Sequence, residues 1–139
     1  MSVGFILRYG AFRLYSAGDF SDCPHGANVE DLMADRVLPV TVAKINHHGF
    51  KSMFPKLTAA LRPAAWVNCT WNRRQPTDDV IALLSDRKLY PADRKLYATH
   101  HPSERPLPEL ASPLSYEGAH VVLTVAPGGR DYRFDLVKA

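Results

Sequence analysis

Apolar runs separated by short polar breaks set out the chain. Residues 3–9 are largely apolar, Gly10 turns the chain, and 12–16 form a second run, which predicts a β-hairpin. The second strand leads into Ala17-Gly18-Asp19-Phe20, and the next eight residues, with Ser, Asp, Pro and Gly, read as loop. Asn28 is placed to cap a short helix over 29–35, with Glu30 and Asp31 in its first turn, where acidic side chains complement the helix dipole. Residues 40–45 predict a strand that ends at Asn46-His47-His48-Gly49.

The alternation continues beyond this point. A helix is expected over 54–61, stopped by Arg62-Pro63, and a strand over 64–70. Residues 71–76 form a polar loop, and Thr77 is the expected cap of a helix running to Leu84. A short strand over 95–99 precedes a long Pro- and Ser-containing segment, 100–116. Strands at 121–125 and 132–137 close the chain as a hairpin across Pro127-Gly128-Gly129. Strands alternating with short helices indicate an α/β fold in one unit spanning 1–139. The pentapeptide Asp-Arg-Lys-Leu-Tyr occurs twice, at 86–90 and 93–97, too short a repeat to indicate a repeat architecture.

Composition narrows the classes. A chain of 139 residues that is 46% apolar and 22% charged can bury a core and is not disordered in type. The net charge of +3 comes from scattered cations, so charge alone does not indicate nucleic acid. Cys23 and Cys69 stand far apart in no paired motif and read as reduced thiols of a cytoplasmic protein. No stretch has the apolar length of a membrane span.

The candidate chemistry lies where apolar runs stop. Ligands of open α/β sheets gather at strand ends, and both Asp19 and the His47-His48 pair terminate such runs. Alone, a Gly-Asp or His-His dipeptide is ordinary polar loop; together they form a carboxylate-imidazole set suited to zinc, with manganese or iron as alternatives. Neighbouring residues on a strand point to opposite faces, so one histidine is expected as ligand and the other beside it. Trp71, Arg73 and Arg74 form a candidate substrate-binding loop for an anionic group. Trp66, inside a strand, reads as core. His25, His100, His101 and His120 read as structural or solvent-facing.

These segments resemble a known superfamily. The stretch 2–20, S-V-G-F-I-L-R-Y-G-A-F-R-L-Y-S-A-G-D-F, is similar to the strand pair carrying the bridging aspartate of metallo-β-lactamase-fold hydrolases. V-A-K-I-N-H-H-G-F resembles the His-His-Gly element of that superfamily's DNA-uptake-related branch. W-V-N-C-T-W-N-R-R-Q-P-T-D-D-V-I, R-K-L-Y-A-T and the terminal hairpin resemble its later elements. The resemblance implies the C-terminal half of an αβ/βα sandwich. Asp19 would bridge two metal ions, and one of His47 and His48 would ligate the second, with His48 favoured because it precedes glycine. Asp19 and His48 are then the expected catalytic pair. The superfamily's His-x-His-x-Asp-His cluster is absent from the chain.

The sequence therefore supports three readings: the C-terminal part of a metal-dependent hydrolase of esters, amides or phosphodiesters, inactive alone; a non-catalytic half-domain for binding or assembly; or a small nucleic-acid-binding α/β domain. Under the first two, one sheet face is expected to lie uncovered and to drive self-association or pairing with an N-terminal half of the same fold.

Overall fold

The computed structural model describes residues 2–20, 28–70, 72–100 and 118–138. Strands β1 (Gly4–Tyr9), β2 (Phe12–Ala17), β3 (Val42–Lys44), β4 (Ala65–Asn68) and β5 (Lys95–Ala98) form one sheet in chain order. The β1–β2 pair is antiparallel, with Leu7 opposite Leu14, and the remaining pairs are parallel. Helices α1 (Val29–Ala34), α2 (Pro55–Leu61) and α3 (Asp78–Ser85) make the crossovers, and β6 (Ala119–Val125) and β7 (Tyr132–Lys138) form a separate hairpin. The fold is α/β: the described residues form a mixed sheet, three helices and a closing hairpin, as the alternation of elements implies.

Period-2 alternation distributes the sheet's side chains to two cores. Tyr15, Ala17, Ala43, Ile45, Trp66 and Leu96 face the helices and pack on Leu57, Leu61, Val80 and Leu84. Phe12, Val42, Ala65 and Tyr97 face the other way and pack on Val121, Leu123, Val125, Tyr132 and Phe134 of the hairpin. Trp66 is fully buried, and its indole Nε1–H donates to the Tyr90 hydroxyl at 2.8 Å. Tyr97 stacks on Phe134 at 3.9 Å between ring centroids.

The hairpin corrects the expectation of a bare sheet face. Its alternate residues Val121, Leu123 and Val125 turn inward while Val122 stays exposed, so β6 and β7 cover the centre of the face that the helices leave. The β1 edge keeps a row of exposed apolar side chains, Phe5 at 55%, Leu7 at 47% and Tyr9 at 48%. The hairpin turn seats against the β1–β2 turn, with Ala11 N–H donating to the Gly128 carbonyl at 3.0 Å. Gly129, at φ 72°, leaves no room there for a Cβ beside the Tyr9 carbonyl.

Local details also depart from the sequence expectations. Asn28 does cap α1, its Oδ1 accepting from Glu30 N–H at 2.9 Å. Thr77 stands at the N-cap of α3 with extended backbone, but its side chain makes no capping hydrogen bond; its hydroxyl and its N–H both donate to the Gly49 carbonyl, at 3.1 and 2.8 Å. Arg94, one of the scattered cations of the sequence, is buried and donates to the carbonyls of Leu84, Asp86 and Tyr90.

Candidate metal centre

The C-terminal ends of β2, β3 and β4 lie side by side, because the three strands run parallel in adjacent positions. They deliver Asp19, the turn at Asn46–Gly49 and the Cys69 carbonyl to one rim. His47 N–H donates to the Gly18 carbonyl at 3.2 Å, which ties the two candidate ligand segments together directly. His48 Nε2 lies 3.8 Å from Asp19 Oδ1.

His48 has a defined tautomer. Its Nδ1 faces the Cys69 carbonyl at 2.5 Å. A carbonyl oxygen can only accept, so Nδ1 carries a proton, and in the neutral ring Nε2, the nitrogen nearer the carboxylate, holds the lone pair. This is how a metal-ligating imidazole is commonly oriented, with its second nitrogen fixed by a backbone carbonyl. The Asp19 and His48 side chains are 57% and 38% exposed, so the pair is open to solvent.

His47 is placed differently. Its ring packs edge-on against Phe50 at 5.6 Å between centroids. Its Nδ1 is buried without a hydrogen-bond partner.

The turn between these residues has unusual backbone. His47 (φ 44°), His48 (φ 56°), Lys51 (φ 49°) and Met53 (φ 63°) are left-handed, as is Gly49 at φ 77°. Each non-glycine residue in this region costs roughly 1–2 kcal/mol. Such conformations persist where surrounding contacts over-determine them, and they cluster at functional sites. At Gly49 a side chain is also excluded sterically, since a Cβ would overlap the Pro76 ring.

The over-determining contacts are polar and buried. Glu30, fully buried on α1, accepts from Asn46 Nδ2 at 2.8 Å, Met53 N–H at 3.0 Å and Phe54 N–H at 2.7 Å. Burial pushes the Glu30 carboxyl above its ordinary range, and the three N–H donors pull it back. Asn46 Nδ2 also donates to the Tyr15 hydroxyl at 3.2 Å, and Ser52 Oγ donates to the Asn46 carbonyl at 2.7 Å. Burial raises the Tyr15 hydroxyl to about 12.

Sequence reasoning missed three contributors to this rim. Glu30 reads as a dipole-complementing residue of a helix first turn, and nothing local marks it as buried. Lys44 bridges two strand ends, its Nζ donating to the carbonyls of Ala17 at 2.9 Å and Ile45 at 3.1 Å. Its signal was a lysine inside an apolar strand. Thr77, at the expected N-cap of α3, also fixes Gly49.

Of the other candidates, Arg73 and Arg74 are exposed in the turn after β4, where Arg74 N–H donates to Asn72 Oδ1 at 2.9 Å. His120 is exposed on β6, and His100 Nε2 is buried without a hydrogen-bond partner. Trp71, Cys23, His25 and His101 lie outside the described residues. Among the described residues, no group of three His, Cys, Asp or Glu side chains is placed to share a metal ion, and no helix is long and apolar enough to cross a membrane.

Comparison with family models, with curated proteins and with solved structures gives no match to this chain.

Proposed function

We propose that this chain is the C-terminal part of a metal-dependent hydrolase of the metallo-β-lactamase type, with Asp19 and His48 as its share of the ligands. The observation that carries the reading is the 3.8 Å between Asp19 Oδ1 and the lone-pair nitrogen of His48. Zinc takes carboxylate oxygen and imidazole nitrogen at about 2.0–2.2 Å, so two donors at this spacing fit one ion between them. Two donors fall short of the three or four protein ligands that zinc sites use. The remaining donors come from outside the described residues, in this reading from an N-terminal half of the same fold.

The bound metals would supply an activated water for attack on an ester, amide or phosphodiester. This chain's residues would hold and orient that centre. Asp19 supplies a carboxylate from a solvent-open turn, and His48 supplies a nitrogen fixed by the Cys69 carbonyl. His47 packs on Phe50 and walls the rim. Arg73 and Arg74 stand on the next loop along it and would draw in an anionic substrate. Because the helices and the β6–β7 hairpin cover the two sheet faces, this reading places the docking of the completing half or a second copy at the exposed β1 edge, with Phe5, Leu7 and Tyr9, and not on an open face. The reduced-thiol composition fits a cytoplasmic setting.

Calorimetric titration of zinc into the purified chain tests the reading. The expected result is weak binding that Asp19→Asn and His48→Gln each abolish, without chelator-sensitive hydrolysis of a phosphodiester. Binding unaffected by either variant, or strong turnover by this chain alone, would refute it.

A further inference from the structure

We propose that Glu30 is a positioning residue for His48, acting through a nine-residue loop that its carboxylate closes at both ends. Only the consequence for metal affinity rests on the reading of His48 as a ligand. The positioning itself stands on geometry within the chain.

The loop spans residues 46–54. At its start, Asn46 donates its side-chain amide to Glu30 Oε1; at its end, Met53 and Phe54 donate their backbone N–H groups to Oε1 and Oε2. One carboxylate thus accepts from both ends of a segment that holds four left-handed non-glycine residues. Ser52 Oγ, donating to the Asn46 carbonyl, and Asn46 N–H, 3.4 Å from Met53 Sδ, draw the same ends together. The backbone conformations inside the loop are costly, so the closure holds them. His48 sits in the strained part, and its ring meets the Cys69 carbonyl from that conformation. Loss of the closure lets residues 47 and 48 relax towards ordinary negative φ, and the Nδ1–H to carbonyl bond is lost with it.

The closure also joins the two candidate ligand segments. Glu30 lies on α1, the first helix after Asp19, whereas its partners flank the histidines. An acidic residue required only for solubility or for the helix dipole would be exposed. Glu30 is 0% exposed, with both oxygens turned to the loop.

The test is long-range ¹H–¹⁵N correlation of the histidine rings in the full chain without metal. In the native protein His48 is expected with Nδ1 protonated and Nε2 bare. Glu30→Gln sets an amide N–H₂ against a backbone N–H, and it should scramble this tautomer ratio several-fold. Asn46→Ala, which cuts one end of the closure and leaves Glu30 in place, should shift the ratio in the same direction and serves if Glu30→Gln does not fold. Leu96→Ala, a core change on β5, should lower stability and leave the ratio alone. An unchanged ratio in the foldable closure variants, or a native His48 with its proton on Nε2, would overturn the proposal. Zinc titration separates the two readings: a 10–100-fold weaker affinity in Glu30→Gln is expected if His48 is a ligand. A native chain that binds no zinc, yet loses its tautomer in Glu30→Gln, would remove the metal and keep the positioning role.

Discussion

The β6–β7 hairpin and the loop over residues 46–54 both fold back on the same sheet, and they are held by opposite means. The hairpin lies on the sheet through apolar contacts, Tyr97 against Phe134 and Phe12 against Tyr132. Its turn uses Gly128 and Gly129 for its left-handed positions, at φ 84° and 72°. Glycine adopts this conformation at no steric cost. The 46–54 loop places histidine, lysine and methionine there instead, and holds them with a fully buried carboxylate. A turn that needs only to reverse the chain uses glycine. The histidine turn keeps its side chains at the left-handed positions and carries the strain, with His48 held on the Cys69 carbonyl and His47 on Phe50.

Substitutions at the two regions should separate stability from site geometry. The largest effect is expected at the one glycine of the histidine turn. Gly49→Ala combines a left-handed alanine with overlap on Pro76, together about 2–5 kcal/mol. Denaturant unfolding should show that loss, and the His48 ring signals should move with it. Phe134→Ala removes a half-buried ring from the hairpin and should cost about 2–3 kcal/mol, below the value for a fully buried phenylalanine. The His48 signals should stay in place. If Phe134→Ala moves them as far as Gly49→Ala does, the two regions are not independent and the comparison fails.

A further effect concerns pH. The Tyr15 hydroxyl is raised from 10.0 to about 12, first by burial and also by the nearby Glu30 carboxylate. Its neutral form is the one the fold accommodates. The contribution is therefore complete below pH 10 and is lost as pH rises through 12, about 2–3 kcal/mol in all. Tyr15→Phe should lower neutral-pH stability by about 1 kcal/mol through the Asn46 contact and flatten the alkaline limb. Burial also raises Tyr90 and Tyr132, so some slope should persist. An alkaline limb as steep in Tyr15→Phe as in the native chain would contradict the assignment.

Apolar runs made the order of strands and helices legible, since periodicity reports burial one element at a time. They also made Asp19 and His48 legible as rim residues, because each follows an apolar run and parallel neighbours put their ends together. Contacts that depend on a distant segment were not legible. Glu30 finds its partners 16 to 24 positions along the chain, and Thr77 meets Gly49 28 positions back. The repeated Asp-Arg-Lys-Leu-Tyr shows the limit plainly. At 86–90 it forms the turn after α3, and at 93–97 it supplies β5. Arg87 of the first copy pairs with Asp93 of the second at 3.0 Å, whereas Arg94 of the second is buried over the Tyr90 ring of the first. Identical residues took different structures because their surroundings differ, and propensity alone carries no such information. The cover that β6 and β7 give the sheet was likewise written in their alternation, but not which face they would meet.

The central claim is that Asp19 and His48 are two donors to one metal ion. Long-range ¹H–¹⁵N spectra recorded during zinc addition test it most directly, because they read the donor nitrogen itself. The account predicts that the bare Nε2 of His48 shifts on zinc addition while its Nδ1 proton is retained, and that Asp19→Asn suppresses the shift. A His48 Nε2 that stays in place with zinc, or that shifts equally in Asp19→Asn, would contradict it.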